Sequence, residues 1–207
     1  MSNTYFITGI STEVGKTIAA AIVTESLQAD YWKPIQAGEL EYSDTDRVKE
    51  LVTNDISQYY DNSFALKTPM SPHAAAEIDG VAIKTAQIKR PKTKNTLVIE
   101  GAGGLLVPLN DTETISDLIQ ANDKVIVVSR HYLGSINHTL MTIETLKQKG
   151  FTNIGILFSG DEHPTTERII TKMANVTILG RIEEEPYFDK RVVSEYGAIL
   201  HENLVAL

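Results

Sequence analysis

A chain of 207 residues, 42% hydrophobic and 22% charged, has the size and composition of one globular α/β domain with a substantial core. Its net charge of −8 opposes the neutralisation of a phosphate backbone and argues against nucleic acid as a partner. The absence of cysteine removes disulfides, thiolate metal sites and a cysteine nucleophile together.

The five histidines (His73, His131, His138, His163 and His201) lack metal-ligand spacing, so neither zinc nor iron chemistry is expected. The longest wholly apolar run, Ile18 to Val23, is far too short for a membrane span, and no basic-then-apolar leader opens the chain. A cytoplasmic protein is the expectation.

In chain order, Thr4–Thr8 reads as a strand that leads straight into "GISTEVGKT", Gly9 to Thr17. Ala19, Ile22, Val23, Ser26 and Leu27 then follow the spacing of an amphipathic helix. Strand, Gly-rich loop and helix beginning at Lys-Thr form the context of a phosphate cradle. Five residues stand between Gly9 and Gly15, however, where the usual pattern has four. In such a loop, Gly9, Val14 and Gly15 shape the backbone, whose N–H groups face phosphate oxygens. Lys16 adds charge near the β- and γ-phosphates, and Thr17 ligates Mg²⁺. The extra residue exposes Thr12 and Glu13 toward the site. A carboxylate beside a triphosphate is repulsive, so Glu13 is expected to face a cation, either an amine substrate or Lys33.

A short strand at Tyr31–Lys33 places Lys33 before a proline, in extended geometry; an ordinary surface lysine is the plainer reading. A helix is expected over Asp46–Val52. Asp44 and Asp46 either cap it or supply a carboxylate to Mg²⁺. "MSPHAAAE" (Met70–Glu77) reads as a turn and helix start, with His73 facing a site or merely capping and packing. Lys89–Lys94 is a basic cluster that reads as a solvated turn.

Thr96–Glu100, Lys124–Ser129, Asn153–Phe158 and Val176–Gly180 are near-continuous apolar runs, as buried parallel strands require. Helices are expected at Ile115–Ala121, Ile136–Lys149 and Thr165–Ala174, with another after Asp189. Glu100 ends its strand where an acid holds Mg²⁺ or its water in phosphate-loop enzymes, and the glycines after it, Gly103 among them, allow close backbone approach to a ligand. An ordinary strand end remains the alternative. Gly134 and Ser135 precede a helix whose N-terminus suits an anion, although simple capping by Ser135 is equally consistent. The alternation predicts a single domain over residues 1–207, a doubly wound, mostly parallel sheet with helices on both faces and ligands beyond the carboxyl ends of the strands.

Taken in order, these clusters resemble the dethiobiotin synthetase family, from end to end of the chain. The matching elements begin with a long phosphate loop carrying Thr12, Glu13 and Val14 before Gly-Lys-Thr, then a Lys-Pro segment (Lys33–Gly38) and an Asp opening the next helix, best matched by Asp46. Ser-Pro-His (Ser71, Pro72, His73), Glu-Gly-Ala-Gly-Gly (Glu100–Gly104) and Leu-Gly-x-Ile-Asn-His (Leu133–His138) complete the series.

The resemblance implies a phosphate-loop NTPase fold. It also implies ATP- and Mg²⁺-dependent joining of CO₂ to the two amines of diaminopelargonate, through a carbamate and a carbamic–phosphoric anhydride. Lys16, Lys33, Thr12 and Glu13 would then serve the chemistry, and Thr17, Asp46 and Glu100 the metal. Ala37, Ser71, Pro72, His73 and Gly103 would line the substrate with Thr12 and Lys33. Gly134, Ser135 and Asn137 would receive its carboxylate from a neighbouring subunit, implying a homodimer. Two departures stand out. Ala37 occupies a position often held by a hydroxyl residue, and Ser159 one where some members carry an adenine-reading Asn. Base preference is thereby left open. The turn holding Gly180, Ile182 and Glu184 is expected to help form the base pocket. Two rival readings fit less well. An ammonia-dependent amide-forming synthase usually needs a Cys-dependent glutaminase. A non-enzymatic ATPase switch typically has a second, early lysine, and Ile10 to Val14 contain none.

Overall fold

The computed structural model describes residues 3–207. The strands are β1 (Thr4–Gly9), β2 (Asp30–Trp32), β3 (Ile35–Ala37), β4 (Tyr59–Tyr60), β5 (Phe64–Leu66), β6 (Leu97–Gly104), β7 (Lys124–Arg130), β8 (Ile154–Ser159) and β9 (Thr177–Ile182). The α-helices are α1 (Lys16–Leu27), α2 (Asp44–Leu51), α3 (Pro72–Ile78), α4 (Ser135–Gln148), α5 (Pro164–Ala174) and α6 (Lys190–Ala206).

Seven strands form one sheet in the order β4-β2-β6-β1-β7-β8-β9, with every pairing parallel. The interior residues of β1, β7 and β8 are buried throughout, so both faces are covered, as their apolar runs require. Helices α1, α2 and α6 pack with one another, and α4 packs with α5. The expected doubly wound α/β sheet is therefore observed. β1 lies between β6 and β7, and the chain crosses to the other side of β1 when it passes from β6 to β7. This is the switch point at which such sheets open a crevice.

Some local expectations need correction. The helix expected at Ile115–Ala121 is a single 3₁₀ turn, Ile115–Leu118. A capping box between Thr114 and Asp117 starts it, but the Arg90 guanidinium takes the Leu118 carbonyl and pairs with Asp123, ending the turn. The strand holding Glu100 does not stop there but continues through the glycines to Gly104. Gly101 permits this, because a Cβ there would lie 3.2 Å from Phe6 Cε1 and 3.3 Å from the Ile7 carbonyl. Three short strands escaped the sequence reading: β4 at the sheet edge, and β3 and β5, which form a separate two-stranded parallel sheet.

Candidate active site

The long loop between β1 and α1 is built around restricted positions. Gly15 has φ +92°, and a Cβ on it would lie 2.8 Å from Ser159 Oγ, so a side chain is disfavoured by both conformation and space. Glu13 holds φ +57°, a left-handed conformation uncommon for a residue with a side chain. Val14 turns inward and is buried beside Gly9. Helix α1 then begins at Lys16 with no side-chain cap and no acidic residue in its first turn. Its leading N–H groups and the positive end of its dipole are left for an anion. Lys16 Nζ donates to the Ser11 carbonyl at 3.1 Å, folded back over the loop. Burial depresses its pKa to about 8, a pull that Glu100 only partly offsets.

Beside the loop lies a compact charged cluster. Thr17 Oγ1 is 2.9 Å from Glu100 Oε1 and 3.1 Å from Asp44 Oδ1, yet its single proton can serve only one of them. Lys33 Nζ pairs with Glu100 Oε1 at 3.0 Å and with Asp44 Oδ2. Burial alone would depress Lys33, but Glu100 and Asp44 outweigh it and hold the ammonium above its ordinary value. Burial works against the Asp44 carboxylate as well, and Lys33 nevertheless keeps it below the usual range. Tyr31, fully buried, donates to Glu100 Oε2 at 2.8 Å, which fixes the rotation of that carboxylate.

A hydroxyl and two carboxylates converging beside an uncapped helix start suit a small hard cation whose remaining ligands are phosphates and water. Among the described residues, no three carboxylate or imidazole groups converge as a complete cage, so such a cation would rely on those outside ligands.

The acid in this cluster is Asp44, not Asp46. Asp46 is the third residue of α2, and its carboxylate accepts from the backbone N–H of Ser43 at 2.8 Å and from its hydroxyl at 2.7 Å. It is consumed by a capping box and faces solvent. The pattern Ser-x-x-Asp at Ser43–Asp46 carried that signal in the sequence. Asp44→Ala is expected to cut turnover and Mg²⁺ affinity by about 10–100-fold. Asp46→Ala should cost about 1 kcal/mol of stability and leave turnover near the parent value. Steady-state rates across a Mg²⁺ titration, with urea unfolding of both variants, check the contrast.

The cluster opens into a cleft of about 770 Å³ at the carboxyl ends of the strands. Thr12, Glu13, Gly15, Lys16, Thr17, Lys33, Ala37, Ser71, Pro72, Glu100, Gly103, Ser159, Ile182 and Glu184, all singled out from sequence, line it. Glu13 has no ion-pair partner among the described residues. Its carboxylate is exposed, and Lys33 is engaged by Asp44 and Glu100 instead. Arg130, Phe188, Arg47 and Met70 also line the cleft and were missed. Arg130 lies one residue beyond the predicted strand end. Met70 opens the quoted Met70–Glu77 stretch and Arg47 lies in the expected helix, without a role assigned to either, and Phe188 lies in no motif.

Other expected residues stand apart from the cleft. A Cβ on Gly180 would meet Leu200 of α6 at 2.5 Å, so this glycine admits helix α6 against β9 rather than a ligand. His73 is exposed, its Nδ1 3.2 Å from Ser71 Oγ. Gly134, Ser135 and Asn137 begin α4 away from the cleft. The cap is Gly134, with no side-chain capping, and Ser135 is buried. Next to Thr12, Leu106, His138 and Met141 line a shallow groove, and Leu133 projects fully exposed.

A family model described as an AAA domain matches residues 3–191. A protein of Christiangramia forsetii named ATP-dependent dethiobiotin synthetase BioD is 63% identical over 204 residues, covering 99% of both chains. One of the same name from Cytophaga hutchinsonii is 48% identical, covering 96% of this chain and 97% of its own. Among solved structures, a ParA family ATPase from Chlorobium tepidum TLS aligns with a TM-score of 0.59 at 11% identity, covering 100% of each chain. MinD of Aquifex aeolicus, in complex with MinC, aligns at 0.56 and 16%, covering 100% of this chain and 97% of that one. At such identities these two structures speak to the fold alone.

Proposed function

The chain belongs to the ATP-dependent dethiobiotin synthetase family, and from that premise we propose that the cleft is where it closes the ureido ring of dethiobiotin from diaminopelargonate, CO₂ and ATP. The observation that carries the assignment of the site is the convergence of Lys16, Lys33, Thr17, Asp44 and Glu100 at the uncapped start of α1.

In this reading the phosphates of ATP lie along the loop, on the free N–H groups of α1, with Lys16 swinging from the Ser11 carbonyl to the β- and γ-phosphates. Mg²⁺, held by Thr17, Asp44 and Glu100 through direct or water-mediated contacts, would neutralise charge between the phosphates. One substrate amine, carboxylated by CO₂, forms a carbamate beside Thr12 and Lys33. A carbamate oxygen attacks the γ-phosphorus, and the bond to ADP breaks. The second amine then attacks the carbonyl carbon of the mixed anhydride, and inorganic phosphate leaves. Lys33 is placed to balance the negative charge that gathers as carbamate and phosphoryl group meet. Glu13 supplies the acceptor for an ammonium group before carboxylation. Ala37 offers no hydroxyl, so the substrate receives no side-chain hydrogen bond at that point.

The carboxylate end of the substrate is assigned to the N-terminus of α4 in a second copy of the chain. Support comes from the position of Gly134–Asn137 off the cleft of their own subunit, from the uncapped helix start, and from the groove beside Thr12. The same reading makes the protein a homodimer that works in the cytoplasm. No described helix is long and apolar enough to cross a membrane.

Purified protein incubated with ATP, Mg²⁺, bicarbonate and diaminopelargonate is expected to yield dethiobiotin, identified by mass spectrometry. Absence of product from folded, nucleotide-binding protein would sink the assignment. Mixing two inactive variants, Lys16→Met and Asn137→Ala, tests the shared site. Subunit exchange should restore about a quarter of the sites, because one of the two sites in each heterodimer is intact. No recovery, with heterodimers demonstrated, would place the whole site within one subunit.

A further inference from the structure

Beyond Ile182 the far end of the cleft is bordered by three consecutive carboxylates, Glu183, Glu184 and Glu185. Their mutual repulsion keeps these side chains apart, and Pro186 holds only Glu185 in extended geometry. Glu183 and Glu184 line the cleft, and Glu184 pairs with Arg130, which lines it too. The start of the stretch is held by Gly160, whose N–H donates to the Ile182 carbonyl, and by Arg181, 3.3 Å from Glu183 Oε1.

The remainder depends on one side chain. Tyr196, on α6, accepts the backbone N–H of Glu183 at 3.1 Å and donates to Glu185 Oε1 at 2.7 Å. Its hydroxyl thus brackets Glu184 from both sides. Among the described residues, the Glu185 side chain has no other hydrogen-bond partner. Tyr196 is buried and does not itself line the cleft. Burial and the neighbouring Glu185 raise its pKa to about 12, so the phenol keeps its proton, and both bonds, at any working pH.

We infer that Tyr196 is a positioning residue for the nucleoside: by clamping Glu183 and Glu185 it sets the path of the loop and holds the Arg130–Glu184 pair at the base end of the cleft. The inference rests on the nucleotide reading above: with the phosphates at Lys16, the base is assigned to the part of the same cleft lined by Ser159, Ile182 and Glu184, as the resemblance implies. Calorimetric titration of the full chain with ATP and with inorganic tripolyphosphate separates the two. Wild type should bind ATP more tightly than tripolyphosphate. Tyr196→Phe should weaken ATP about fivefold and leave tripolyphosphate unchanged. In turnover, KM for ATP should rise by the same factor with kcat retained. Glu185→Ala, a change at a partly exposed side chain, should shift ATP affinity in the same direction, and the double variant should be no worse than the weaker single one. Unchanged ATP affinity in Tyr196→Phe and Glu185→Ala, or equal loss for ATP and tripolyphosphate, overturns the role of Tyr196. Equal affinity of wild type for the two ligands overturns the base-site reading beneath it.

Discussion

Lys33→Met should lower turnover by about a thousandfold and, separately, lower the stability of the unliganded protein by about 3–5 kcal/mol. The second effect follows from what Lys33 leaves behind. Glu100 is 1% exposed, and Asp44 lies beside it. With the ammonium gone, two carboxylates share a largely buried corner, with Thr17 and Tyr31 as hydrogen-bond donors and Lys16, itself depressed by burial, as the remaining nearby cation. The folded pKa of Lys33 lies above its ordinary 10.5, so its contribution is complete below that pH and is lost as pH rises through the folded value. Adding Glu100→Gln to Lys33→Met should recover part of the stability and none of the turnover. Urea unfolding and single-turnover rates of the single and double variants measure both. A Lys33→Met protein as stable as wild type would show that the cluster is not electrostatically closed.

Lys16→Met should abolish productive ATP binding and turnover yet stabilise the unliganded fold by about 1–2 kcal/mol. The lysines sit in one cluster but are shifted in opposite directions. Lys33 has two carboxylates against it, whereas Lys16 reaches only a backbone carbonyl and is depressed to about 8. A cation whose pKa falls on folding is a handicap to the folded state. That handicap is complete below about pH 8 and fades as pH rises toward the ordinary 10.5, so this group alone makes stability rise across that interval. On the proposed reading of the site, ATP supplies the missing anion and should restore the pKa of Lys16. Binding near pH 8–9 therefore takes up a proton, and affinity falls as pH rises above about 8. Calorimetry in buffers of different ionisation enthalpy detects the uptake. Its absence, or a Lys16→Met variant that is less stable than wild type, would contradict the account.

The parts of the molecule that could be read from sequence are those whose physics is local. β1, the loop and the start of α1 follow from a β-branched run, glycines and Lys-Thr within a few residues, and the structure joins them as the spacing implies. Parallel strands buried on both faces announce themselves as apolar runs, which is why β6, β7 and β8 were legible, while β9, a partly buried edge strand, was marked by its short apolar run alone. β3 and β5 were not, because each is three residues long and they pair only with each other, apart from the main sheet. Asp44 and Asp46 differ by two positions on one helix turn, and only the capping geometry at Ser43 decides which one turns to Thr17. Arg130, Phe188 and Tyr196 border or support the cleft through tertiary packing, and nothing adjacent in the chain marks them. Gly180 misled for the complementary reason: a glycine near a ligand and a glycine under a helix look alike until Leu200 is seen against it.

Helix α6 closes the molecule on its own beginning. Tyr5 Oη donates to the Leu204 carbonyl at 2.8 Å across 199 residues of sequence, Gly197 packs against Ser26, and α1 and α6 form a major helix pair. Helix α2 and strands β1, β2 and β6 cover part of α1, and α6 supplies the rest of its cover. Until α6 docks, the end of α1 at Glu25 and Ser26, against which Gly197 packs, stays uncovered. Loop-closure entropy must be met before this distant contact returns anything, so docking of α6 is placed late in folding. Until then the loop held by Tyr196 lacks its anchor. The step that completes the cover of α1 is thus also the one that fixes the path of the Glu183–Glu185 loop.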